Sequence, residues 1–92
     1  MRVVLDVSAI ESREALHQLL WQALALPAHY GCNLDALFDC LSTRAEQTEL
    51  VLCGLPQLCA RLGGYAKAFA RVLSDSAQEN PALSISMEDL PE

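Results

Sequence analysis

Positive charge is scarce in this chain: 6 Lys and Arg stand against 12 Asp and Glu, a formal net charge of -6. A surface of that sign repels phosphate backbones, so direct nucleic-acid binding is disfavoured and a basic protein is the complementary partner. Long apolar runs are also missing. None approaches the ~20 residues that a membrane-spanning helix requires, and no membrane role is expected. Met1-Arg2 runs into Val3-Val4-Leu5 and then Asp6, too short a stretch for the apolar core of a secretory signal. A cytoplasmic location is the expectation. Cys32, Cys40, Cys53 and Cys59 contain no C-x-x-C pair, and without a secretory segment their default state is the free thiol. His29-x-x-Cys32 with Cys40 beyond it lacks the second tight ligand pair of a zinc site, so no metal is expected. Gly63-Gly64 has neither the lysine nor the strand context of a phosphate loop, and no other cofactor signal is present. Internal repeats, linkers and low-complexity segments are absent.

What is present is a globular composition. Hydrophobic residues make up 52% of the 92 residues, enough for one core in a single domain over residues 1–92. Arg2 to Val7 reads as a strand with an apolar β-branched run. Ser12 caps a helix over about residues 13–25, on which Ala15, Leu16, Leu19, Leu20, Ala23 and Leu24 recur at helical spacing, and Leu26-Pro27 closes it. Trp21 reads as a partly covered aromatic, and His17 as a packing or surface histidine. Residues 42–49 form a polar connection. Leu50-Val51-Leu52-Cys53 is apolar on both alternating faces, as in the central strand of a parallel sheet. Pro56 starts a short helix to about Leu62, and a longer one runs from Tyr65 to the Asn80-Pro81 stop, with Arg71 and Asp75 spaced for an i,i+4 ion pair. In the last strand Leu83, Ile85 and Met87 alternate with Ser84 and Ser86, leaving the serine face open to water. Met87 to Glu92 reads as a frayed acidic tail. The class is α/β, a three-stranded parallel sheet in order 1-2-3 with about four helices on one face.

The stretch from His29 to Leu41 is organised differently from this scaffold. Gly31 offers positive φ without steric cost, and Asn33 caps a helix on which Leu34, Leu37, Phe38 and Leu41 form an apolar stripe. Asp35 and Asp39 lie one turn apart on another face, where two like charges repel by about 0.2–0.5 kcal/mol. The helix dipole repays Asp35, which is in the first turn; Asp39 is a turn too deep to gain much. An acid/base dyad would need one of these carboxylates buried, yet both fall on the polar face. His29 with a cysteine, and Ser8 and Ser12 near His17, have no recognisable catalytic spacing, so catalysis is not expected. A binding module asks less: an exposed constellation on a rigid element, with charge opposite to the partner's. His29, Tyr30, Asn33, Asp35, Phe38, Asp39 and Arg44 line one edge in that way, with Phe38 equally readable as core and Tyr30 better read as core.

Leu24-Ala25-Leu26-Pro27, Tyr30-Gly31, and Asn33-Leu34-Asp35-Ala36-Leu37 with Asp39 following resemble the signature of the barstar family, intracellular inhibitors of barnase-type ribonucleases. Leu16-His17-Gln18 and the element order agree, so the resemblance covers nearly the whole chain. It implies a small α/β fold in which the loop and second helix plug the nuclease active site, with no cofactor and in a 1:1 complex with a basic microbial ribonuclease. It assigns Asp39 the place of a substrate phosphate, Asp35 and Asn33 neighbouring contacts, His29 and Phe38 ring contacts, and Asp75 the role of an acidic residue on the later helix that also faces the enzyme. His29, Phe38 and Arg44 depart from the family pattern, which has tyrosine, tryptophan and tryptophan there, and these changes bear on which nuclease is recognised. Two other readings compete with inhibition: a non-inhibitory acidic adaptor binding another basic protein through the same face, and a thiol or metal enzyme built on His29, Cys32 and Cys40.

Overall fold

The computed structural model of the chain describes residues 1–88. The elements run β1 (Arg2–Asp6), α1 (Arg13–Leu24), α2 (Leu34–Ser42), β2 (Thr48–Cys53), α3 (Leu55–Leu62), α4 (Gly64–Glu79) and β3 (Leu83–Glu88). The three strands form a parallel sheet in the order β1-β2-β3. Val3 pairs with Leu50 and Leu50 with Ile85, so one register level carries apolar residues across all three strands. The α/β class, the strand order and the four helices match the expectation.

Alternation assigns the faces. Val3, Leu5 and Val7 are buried while Arg2, Val4 and Asp6 are exposed, so the helices cover one side of the sheet. Leu16, Leu20 and Leu24 of α1, Leu37 and Leu41 of α2, Leu58 of α3, and Phe69 and Leu73 of α4 complete the core on that side. Each such side chain contributes about 1.5–3 kcal/mol by leaving water. Val51 is the exception on the open face: only 1% exposed, it sits in the central strand between Val4 and Ser86 at its own register level.

Several boundaries differ from the sequence reading. β2 begins at Thr48 rather than Leu50, because the buried Thr48 hydroxyl finds polar partners and the strand can start on a residue that looks like loop. α1 stops at Leu24, and Ala25 takes the left-handed conformation (φ 49°), its N–H bonding to the Trp21 carbonyl. Met87 and Glu88 belong to β3, which pairs with β2 up to Cys53, rather than to a frayed tail; the rest of that expected tail, residues 89–92, lies outside the described residues. Positive φ before α2 falls on Cys32 (φ 54°), not on Gly31. A Cβ at Gly31 would lie 3.2 Å from the side-chain nitrogen of Asn33, a tight approach, and at an ordinary 3.5 Å from the Ala36 methyl.

Candidate protein-binding face

The loop from Ala25 to Asn33 is closed by its own hydrogen bonds. Leu26 N–H donates to the Trp21 carbonyl at 3.1 Å, the Trp21 indole N–H donates back to the Leu26 carbonyl at 2.9 Å, and Tyr30 N–H donates to the Pro27 carbonyl at 2.9 Å. Two adjacent rings then part company. Tyr30 turns inward to 8% exposure, and His29 stays on the surface. At the end of the loop the Asn33 Oδ1 accepts from Ala36 N–H at 2.8 Å while its Nδ2 donates to the Gly31 carbonyl at 3.3 Å. One side chain thus caps α2 and braces the turn before it.

On α2 the two-sided pattern is realised. Leu37 and Leu41 are buried, and Asp35 and Asp39 are exposed. Phe38 is half-buried and lies outside the core cluster, between the two readings open to it. Thr43 ends the helix on Asp39 itself: its N–H and its hydroxyl donate to the Asp39 carbonyl at 3.3 and 2.6 Å. Asp39, His29 and Arg44 meet at a cleft of about 340 Å³ between the loop and the helix, walled also by Leu26, Pro27 and Cys40. Asn33 and Asp35 open instead onto a separate groove of about 460 Å³ at the N-terminus of α2, against Arg13, Glu14 and Tyr65. Phe38 and Asp75 line neither recess. Asp75 is exposed on α4, 3.9 Å from Arg71. Arg44 is largely withdrawn, its side chain 12% exposed and 3.1 Å from the Glu46 carboxylate.

Under the face sits a residue that periodicity did not single out. His17 is 1% exposed, with Nδ1 against the Tyr30 hydroxyl and Nε2 against the Tyr65 hydroxyl. Its position three residues before Leu20 and seven before Leu24 puts it on the edge of the apolar stripe, the one sequence signal that could have placed it. Burial lowers the His17 pKa, partly opposed by nearby Glu14, and pushes the Tyr30 phenol well above its usual range. Burial also raises the Cys40 thiol, with the Asp39 charge adding to the effect, which lowers its thiolate content and works against a nucleophilic role. Among the described residues no group of three or more His, Cys, Asp and Glu side chains is placed to hold a metal ion, and no helix is long and apolar enough to cross a membrane.

Comparison with known proteins gives the family. The protein YrdF of Bacillus subtilis (strain 168), provisionally named a ribonuclease inhibitor, is 34% identical over 79 residues, covering 85% of this chain and 87% of that protein. The family model described as Barstar (barnase inhibitor) matches residues 1–88. The chain belongs to the barstar family.

Proposed function

We propose that this protein is a reversible 1:1 inhibitor of a basic, extracellular-type microbial ribonuclease, acting in the cytoplasm by occluding the enzyme's active site with the loop and helix of residues 29–44. The observation that carries the reading is the pair Asp35 and Asp39. Both are exposed on a helix clamped to the core, and among the described residues neither has a cation within ion-pair distance. Membership of the barstar family and the likeness to a protein named for ribonuclease inhibition support it.

The physical mechanism is charge complementarity on a preformed surface. A ribonuclease gathers Arg, Lys and His side chains to stabilise phosphate charge, and that cluster is a socket for carboxylates held at fixed spacing. Asp39 takes the place of a substrate phosphate. Asp35 and Asn33 contact the enzyme beside it, His29 and Phe38 supply ring surface, and Asp75 extends the acidic face from α4. No catalytic step, metal or cofactor belongs to the inhibitor. The net charge of -6 steers association, so the on-rate falls with salt.

The test is a titration of basic secreted microbial ribonucleases with wild-type protein and with Asp39→Ala, at two salt concentrations. Stoichiometric inhibition by wild type and a large loss with Asp39→Ala are expected. A variant that inhibits as well as wild type would sink the assignment.

A further inference from the structure

Neither α1 nor α2 carries a basic residue in its last turn, so the carbonyls at both helix ends need partners from elsewhere. Arg44, two residues beyond α2, reaches back to supply one. Its Nη1 donates to the Leu24 carbonyl, the last of α1, at 2.9 Å; its Nε donates to the Thr48 hydroxyl at 2.9 Å and its Nη2 to the Glu46 carboxylate at 3.1 Å. The main chain of Arg44 is held as firmly. Asn80, buried at the end of α4, donates from Nδ2 to the Arg44 carbonyl at 2.8 Å and to the Leu41 carbonyl at 2.9 Å.

One guanidinium therefore joins the point where the His29-bearing loop leaves α1 to the segment that follows the Asp39-bearing helix. His29 and Asp39 line the same cleft, and Arg44 lines it with them. We propose that Arg44 is a positioning residue of the binding face, fixing the loop of residues 25–33 against α2, and that it does not act as a free cation offered to the partner. The planar fork matters, because a lysine ammonium cannot satisfy three acceptors in these directions at once. The charge is already opposed by the Glu46 carboxylate and by the negative end of α1.

The consequence for partner affinity rests on the proposed inhibition; the positioning itself is tested without any partner. Amide hydrogen exchange would be measured on wild type, Arg44→Gln and Arg44→Lys. At least tenfold faster exchange at Leu26 and Tyr30 is expected in both variants, with the amides of β2 unchanged. Unchanged loop exchange overturns the proposal. So does acceleration spread equally through β2 in both variants, since Arg44 would then be a general stability residue. Against an inhibited ribonuclease, both variants should dissociate at least tenfold faster with the salt dependence of association retained. Tighter or faster binding by Arg44→Gln would show that the cation opposes the partner and would equally overturn the proposal. Faster loop exchange beside a wild type that inhibits no ribonuclease would overturn the functional reading alone.

Discussion

The Nδ1 of His17 lies 2.5 Å from the hydroxyl oxygen of Tyr30, and the opposite nitrogen Nε2 lies 2.6 Å from that of Tyr65. A neutral imidazole has one donor and one acceptor, so it accepts from one phenol and donates to the other. Both bonds cross long stretches of sequence, tying α1 to the loop of residues 25–33 and to the first turn of α4.

Protonation upsets this balance. A charged ring can only donate, so the phenol that had donated to it loses its acceptor inside the protein. Burial holds the folded-state pKa below the ordinary 6.5, so the unfolded chain takes up the proton first. The His17 contribution is therefore complete above about pH 6.5 and is lost as pH falls through the lower folded-state value. Urea midpoints measured from pH 8 to 5 should fall toward the acid end, and His17→Gln should flatten that part of the curve. Asp6 does not confuse the measurement. Its carboxyl is held below 3.8 by hydrogen bonds from the Ser8 hydroxyl and N–H, so its contribution fades only in stronger acid.

Removing one hydroxyl isolates one of the two ties. Tyr65→Phe leaves Nε2 without its partner and should cost about 1–3 kcal/mol. The Arg13 guanidinium, 4.3 Å from the centre of the Tyr65 ring, can still stack on phenylalanine, which separates the lost hydrogen bond from lost packing. Chemical unfolding at pH 7.5 measures the loss. A change within error would mean that solvent replaces the phenol.

The legible parts of the molecule were those written locally. Ser12 and Asn33 are the caps expected of them, accepting from Ala15 and Ala36 N–H, and the Leu34–Leu41 pattern separates α2 into buried and exposed sides. The order of strands and helices followed from periodicity. What stayed hidden depends on partners remote in sequence. His17 finds Tyr30 13 residues away and Tyr65 48 away, and Arg44 reaches 20 residues back to Leu24. Asn80 marked only the end of a helix in sequence, yet its side chain holds the Leu41 and Arg44 carbonyls. The left-handed position expected at Gly31 falls on Cys32, because composition cannot distinguish a glycine that takes positive φ from one that does not.

Two glycines make that distinction measurable. Gly54 has φ 84°, and a Cβ there would lie 2.7 Å from the backbone nitrogen and from the Cβ of Ser8. Gly54→Ala combines left-handed strain with overpacking and should destabilise by on the order of 2–5 kcal/mol. Gly64, the first residue of α4, has nothing within 4 Å of such a Cβ and no left-handed φ. Gly64→Ala should stabilise by about 0.4–1 kcal/mol, largely by restricting the unfolded chain. Thermal unfolding of the pair should therefore move in opposite directions.

The two aspartates of α2 allow a sharper test of what the acidic face is for. Asp35 is in the first turn of the helix, where the dipole favours it by about 0.3–1 kcal/mol. Asp39 has no such compensation and repels Asp35 across one turn by about 0.2–0.5 kcal/mol. A residue kept only for folding would not sit there. Asp39→Asn should accordingly stabilise the free protein by about 0.2–0.5 kcal/mol, whereas Asp35→Asn should leave it unchanged or slightly weaker, since lost dipole stabilisation offsets relieved repulsion. Against the cognate ribonuclease both variants should bind more weakly, Asp39→Asn by at least tenfold. A gain in stability joined to a loss of inhibition at the same residue would mark Asp39 as selected for its partner. If Asp39→Asn instead lowers stability, the repulsion argument is wrong and the carboxylate has an intramolecular role.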